Sequence, residues 1–272
     1  RDLVRSRGLG DVYKRQDANS MCQNVVVENC VGRSSASGLK FGTVSRGGFR
    51  NFKVKNIKIY DTYRSAITFA AVDGALIENI EVDGVRSIHT GNVIYLRIGD
   101  RWSAGKKPIM KNITIKNVYA EIPMDKPDAG YNYEGPIEDL PRNISPASIV
   151  GLPEYKIQNV TLQNIEIVSP GGGNPYYAYR GLAPAELDSI PEMATSYPEF
   201  SQFKELPAWG FYIRHAEGIT FDNVTFKALK KDYRPAIVMD DAGEVTFKDV
   251  RFIEPEGEGK KQIFPYKSKV IK

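Results

Sequence analysis

The sequence predicts an all-β fold, a right-handed parallel β-helix (solenoid) with long loop insertions. Three observations predict it. A short alternating phrase recurs, asparagine returns at the same place in each copy, and the copies keep a near-constant spacing. The phrase reads QNVVVENC at Gln23, RNFKVKNIKI at Arg50, ENIEVDGV at Glu78, KNITIKNV at Lys111 and QNVTLQNI at Gln158. Looser copies stand at Gly218 and Gly243. Apolar and polar residues alternate within each copy, the signature of a half-buried strand.

Four copies carry two asparagines five residues apart: Asn24 and Asn29, Asn51 and Asn56, Asn112 and Asn117, Asn159 and Asn164. Asparagine tolerates left-handed backbone and bonds to its own turn, so a repeated asparagine marks a repeated corner. In neighbouring turns, about 4.8 Å apart, such side chains can bond to one another in a ladder. The early copies start 27 and 28 residues apart, which suits one turn of two or three strands, and longer gaps are insertions. A second strand follows in several repeats: SGLKFGT, SAITFAAVDG, NVIYLRIGD and RPAIVMDD. Each repeat thus reads as strand, turn, strand, turn. Right-handedness follows from the bias of parallel crossovers. An antiparallel sandwich is the rival, but it would not require one corner residue in each repeat.

Four Asn-x-Ser/Thr sequences occur, at Asn112, Asn143, Asn159 and Asn223. Three sit in the repeat, where ladder corners account for them better than glycosylation does. Cys30 closes the apolar strand VVVENC and reads as a buried core thiol. Neither Cys30 nor Cys22 has metal-ligand spacing to another Cys or His.

Residues 1–16 differ from the rest. They carry five basic and two acidic residues and no strand alternation, and they read as translated adapter sequence, with a genuine basic tail as the alternative. Without them the formal charge of +4 falls to +1, since this segment contributes 5 − 2 = +3. The expected domain is therefore 17–272, a β-helix truncated at its N-terminal end. Its near-neutral charge argues against a nucleic-acid partner. No apolar run reaches the roughly 18–20 residues of a membrane-spanning helix, so no membrane is expected. No cofactor and no metal site are expected, and the chain is expected to be a monomer.

The phrases QNVVVENC, SGLKFGT, FRNFKVKNIKIYDT, SAITF and LIENIEV resemble the middle repeats of glycoside hydrolase family 28, the polygalacturonases and their relatives. The later segments SIVGLPEYKIQNVTLQNIEIVSPGGGN and YPEFSQFKELPAWGFYIRHAEGITFDNVTF resemble a Bacteroides-type subgroup of it. The resemblance runs from about Cys22 to Asp241. It implies inverting hydrolysis of a galacturonic-acid-type linkage, with one carboxylic acid protonating the leaving oxygen and a carboxylate activating water. It also implies an acidic plant cell-wall polysaccharide as partner and a secreted or periplasmic location.

Family members carry the acids in an Asn-Thr-Asp stretch and an Asp-Asp pair, followed by a Gly-His-Gly turn and an Arg-Ile-Lys strand. Here no Asn-Thr-Asp occurs, and the only Asp-Asp is Asp240-Asp241, late in the chain. The matching acids are expected upstream of Cys22, so the catalytic residues are not assigned and the chain itself is expected to be inactive. The Gly-His-Gly turn aligns with Ala36-Ser37-Gly38. The Arg-Ile-Lys strand aligns with Ala66-Ile67-Thr68 or one step either side. Two other readings stand beside this one: a non-catalytic carbohydrate-binding β-helix, and a polysaccharide lyase.

Strand alternation points Leu39 and Phe41 inward and Lys40 outward, then Ile67 and Phe69 inward and Thr68 outward, with Tyr95 and Arg97 outward one repeat on. Lys40, Thr68 and either Tyr95 or Arg97 are expected to form one outward column, joined by Arg64. Tyr212 and Arg214 share a face further on. The expected substrate-binding residues are Lys40, Arg64, Thr68, Tyr95, Arg97 and Arg214, the cations being suited to uronate carboxylates. His89 reads as a surface turn residue, and His215 as a weaker substrate candidate. In the insertions, Tyr131, Tyr133, Tyr176, Tyr177, Tyr179 and Trp209 either stack on sugar rings or pack the loops down. Residues 186–193 read as one or two helical turns.

Overall fold

A computed structural model describes residues 20–124, 145–173, 181–255 and 261–271. Residues 1–19, Asn143 and the insertion tyrosines at 131, 133, 176, 177 and 179 lie outside this description. The chain is all-β. Its strands are β1 (Cys22–Ser34), β2 (Leu39–Phe41), β3 (Gly48–Ala71), β4 (Leu76–Ile98), β5 (Ile109–Glu121), β6 (Ala147–Val150) and β7 (Ile157–Gly171). After a short helix α1 (Pro184–Asp188) and a 3-10 turn at Phe200–Phe203 come β8 (Phe211–Lys230), β9 (Ile237–Ile253), β10 (Ile263–Tyr266) and β11 (Val270–Ile271). All pairings between these strands are parallel, in the order β1-β3-β4-β5-β7-β8-β9-β10.

The burial pattern shows why these residues form these strands. In the first part of β4, residues 76–86, the buried residues are Ile77, Ile80, Val82 and Val85, at steps of three, two and three. In β5 they are Met110, Ile113, Ile115, Val118 and Ala120, and in β7 Ile157, Val160, Leu162, Ile165 and Ile167, at steps of three, two, three and two. A plain strand buries alternate residues. Each step of three brackets one left-handed residue, which turns the chain through a corner and returns the next side chain to the interior. Asn79 and Gly84 do this in β4, Asn112 and Asn117 in β5, Asn159 and Asn164 in β7.

Ten asparagines hold φ between 52° and 59° at these corners. Their side chains form the predicted ladders. Asn51, Asn79, Asn112 and Asn159 each donate to the asparagine of the preceding repeat at 2.9–3.1 Å. In the second ladder Asn56 donates to Asn29, Asn164 to Asn117 and Asn223 to Asn164. Gly84 interrupts it, and Asn117 turns to Asp83 Oδ1 at 2.7 Å instead. A ladder amide thus stabilises both the corner and the stacking. Asn112→Ala is expected to cost about 2–3 kcal/mol in urea or thermal unfolding, from left-handed alanine and lost amide bonds. Asn112→Gly should recover the backbone part. Equal losses for the two variants would show that the left-handed backbone carries none of the effect.

The predicted succession of short strands separated by turns is corrected in one respect. Pairing continues through the corners, so β3 runs for 24 residues and β4 for 23. One consequence is a closed circuit of five strands, β4-β5-β7-β8-β6 and back to β4, where the sequence predicts a solenoid of coiling strands. The circuit closes because β4 bends: its first part pairs with β5, and Tyr95–Arg97 pairs with β6, whose other edge meets β8. Cys30 is also corrected. It stands in register with buried Ile57, but β1 pairs only with β3 among the described residues, and both cysteines are free and exposed.

One apolar core fills the interior between the faces. It includes an aromatic column, with Phe41 stacked on Phe69 at 4.6 Å and Phe221 on Phe247 at 5.2 Å. A second, smaller core lies outside the sheet. Here Leu187, Ile190, Phe200, Phe203 and Leu206 of the insertion at 181–209 cover Tyr95, Val150, Tyr212 and Val238. Helix α1 begins two residues before the helical segment predicted at 186–193 and ends at Asp188. No described helix is long and apolar enough to cross a membrane.

Candidate functional site

The face built by β2, residues 67–71 of β3, 94–98 of β4, β6, 211–214 of β8, 237–240 of β9 and β10 carries the residues predicted to bind substrate. Their register is as expected: Lys40 pairs with Thr68, Thr68 with Tyr95, Tyr95 with Ser148, and Ser148 with Tyr212. A neighbouring column runs Ala70, Arg97, Val150, Arg214, Asp240. These side chains do leave the main core, as alternation requires. Most of them do not reach solvent, because the insertion at 181–209 lies over them.

The structure therefore divides the predicted site in two. Thr68, Tyr95, Arg97 and Arg214 are buried, and the last three hold the insertion down. This corrects their expected role as open substrate contacts. Arg97 donates to the carbonyls of Gly151 and Glu192 and lies 5.3 Å from the Phe203 ring centroid. Tyr95 packs edge-on against Phe200, and its burial pushes the phenol well above its ordinary pKa. Thr68 meets Ser37, hydroxyl to hydroxyl at 2.9 Å. The positions aligned with the Gly-His-Gly turn and the Arg-Ile-Lys strand are thus neighbours in space, but carry two neutral hydroxyls.

Arg214 is the centre of the buried half. It donates to the Ile190 carbonyl at 2.6 Å and pairs with Glu192 at 2.7 Å and Asp240 at 3.1 Å. His215, at the left-handed corner beside it, sets Nδ1 against Asp241 at 2.7 Å and Nε2 against Glu192 at 3.1 Å. Lys156 completes the network on Asp241 at 2.8 Å. Burial raises the Glu192 carboxyl, but the His215 hydrogen bond and the Arg214 charge outweigh it and hold the group below its ordinary value. Asp241 is lowered in the same way, with Lys156 and His215 overcoming burial. At Asp240 burial wins over Arg214 and the pKa is raised. The Asp240-Asp241 pair is engaged in this network and holds the insertion. His215, a weaker substrate candidate in sequence, is buried there too, while His89 lies at an exposed corner near Asp61, as expected.

The open half lies at the other end of the face. Lys40 Nζ donates to the Tyr197 hydroxyl at 2.9 Å, and Arg64 Nη1 donates to the same oxygen at 3.2 Å. Arg64 is also ion-paired with buried Glu199. The Arg101 guanidinium lies 5.7 Å from the Tyr197 ring centroid and 3.7 Å from that of Trp102. Arg101 is itself held by a two-pronged contact with buried Asp73. Burial raises the Tyr197 phenol, but Lys40 and Arg64 outweigh it and set it below its ordinary value. Trp102 is 51% exposed and Tyr197 40%. Three cations thus converge on one partly open aromatic side chain beside an exposed indole. Such a lip can take a carboxylate on its donors and a sugar ring on its aromatic faces.

Sequence reasoning reached Lys40 and Arg64 but missed Tyr197, Arg101 and Trp102. Trp102 had a readable signal, an exposed-type aromatic beside an arginine just past a strand. Tyr197 had none, since it meets Lys40 across a separation of 157 residues. Trp209, for which the sequence left sugar stacking and packing as alternatives, packs in the main core. Among the described residues, no group of three or more His, Cys, Asp or Glu side chains is placed to hold a metal ion. Comparison with protein-family models, with curated proteins and with solved structures finds no match to this chain.

Proposed function

We propose that the chain is the substrate-holding part of a polygalacturonase-like glycoside hydrolase, a right-handed parallel β-helix that acts on acidic plant cell-wall polysaccharide outside the cytoplasm. The β-helix reading is supported by parallel register between successive repeats and by left-handed corners at the same position in each. The substrate reading is carried by one observation: Lys40, Arg64 and Arg101 surround Tyr197 next to exposed Trp102. In this reading the cations take uronate carboxylates, and Trp102 offers a ring face to the sugar. No described residue is assigned as catalytic acid or base, and the chain by itself is inactive.

Titration with oligogalacturonate tests the lip. Lys40→Ala is expected to weaken binding by about tenfold, the loss of one charge-assisted bond. Trp102→Ala should weaken it less, and only the Lys40→Ala loss should shrink in high salt. Unchanged affinity in both variants would remove the lip from the reading. Release of reducing ends from pectic polymer by the chain would overturn its assignment as inactive.

A non-catalytic carbohydrate-binding role is the second reading. The observation that favours it is the neutral Ser37–Thr68 pair at the positions where the resembled family carries histidine and the Arg-Ile-Lys strand.

A further inference from the structure

On the back of the sheet, a groove of about 950 Å³ runs along the second asparagine ladder. Its wall is one register column, Lys58, Arg86, Tyr119, Glu166, Thr225 and Arg251, one residue from each successive repeat. Elsewhere on this surface charges alternate across the strands. Arg50 pairs with Glu78, which also meets Lys111. Lys53 stands beside Glu81, and at the edge of the groove itself Lys55 stands beside Asp83, which is next to Lys116. Opposite charges side by side stabilise a sheet and like charges side by side destabilise it.

Lys58 and Arg86 break this rule. They are direct neighbours in register, both exposed, and of the same sign. Among the described residues no carboxylate forms an ion pair with either, nor with Lys55 or Arg251 in the same groove. The Arg86 guanidinium lies instead 4.7 Å from the Tyr119 ring centroid, which fixes its orientation and places an aromatic ring beside it. A stacked pair of cations that costs stability, set in a groove floored by amides, is poised for anions supplied from outside.

We propose that this groove is a second binding surface for an extended anionic polysaccharide, with uronate carboxylates on Lys58 and Arg86 and hydroxyls on the ladder amides. The groove follows the stacking direction, so each repeat offers its contacts about 4.8 Å beyond the last. A regular chain of sugar rings lies along such a track more readily than a folded partner does. The proposal rests on the reading of an acidic polysaccharide as ligand, but not on the lip of the opposite face. The surface would hold the polymer while the lip engages a local stretch of it.

The test uses the whole chain, oligogalacturonate as probe, and calorimetric titration of three proteins: the parent, Lys58→Ala/Arg86→Ala, and Lys40→Ala. The expected result is two classes of site in the parent. The double variant should lose at least about tenfold at one class, and Lys40→Ala should weaken the other. Without ligand, the double variant should melt no lower than the parent, since it removes a repulsion. Binding unchanged in the double variant would overturn the groove and leave the lip intact. Binding abolished by Lys40→Ala alone would do the same. No binding by the folded parent would overturn both the groove and the substrate reading. Equal competition by polyglutamate would overturn the groove as a saccharide site and leave a general polyanion surface.

Discussion

Arg214→Ala is expected to destabilise the chain by about 3–5 kcal/mol, because it strands the buried Asp240 carboxylate. Asp240 is nearly inaccessible and loses its guanidinium partner, Glu192 keeps only His215 of these two side-chain partners, and the Ile190 carbonyl loses its donor. A lost charge here costs more than a lost surface ion pair, since water cannot replace the partner. The loss should also be local in character. The network ties the insertion at 181–209 to the strands beneath it, so limited proteolysis should cut that insertion before the sheet unfolds. Adding Asp240→Asn should recover part of the stability by removing one stranded charge. Urea unfolding of the single and double variants checks this. A single variant within about 0.5 kcal/mol of the parent would mean that this site behaves as surface, where substitutions do little.

Phe221→Ala should cost a similar amount, about 3–5 kcal/mol, for a different reason. Phe221 is fully buried, edge-on to Phe211 at 5.2 Å and stacked on Phe247 at the same distance. Its ring is held by strands on both sides, and neighbouring repeats cannot close over the space without losing their own register. The cavity therefore persists, and its cost adds to the lost transfer of the ring from water. Phe221→Leu should lose much less. If alanine and leucine cost the same in thermal melts, collapse of the site rather than cavity formation governs the core. These two variants separate the forces in the molecule: polar satisfaction under the insertion, and close packing inside the sheet.

Parts of this architecture were readable from single residues. The asparagines at 112 and 117 announce corners because few other residues sit in left-handed backbone without strain, and the ladder follows from repeating them. Inward and outward assignment of Lys40, Phe41, Thr68, Phe69 and Tyr95 needed only the strand period of two. Cys30 misled because its local pattern matches its buried partners, while its burial depends on what lies beside the strand. The closed five-strand circuit was not legible either, since it depends on how far pairing continues through the bends of β4 and β8.

The sequence by itself determined the repeat, its corners, its core residues and the outward column, because backbone preference and side-chain alternation are local properties. The tertiary structure decided which part of that column stays open to solvent. Insertion residues far along the chain bury Tyr95, Arg97 and Arg214, and bring Tyr197 to Lys40 and Arg64. Exposure depends on what covers a residue, and here the cover comes from a segment whose position no local pattern encodes.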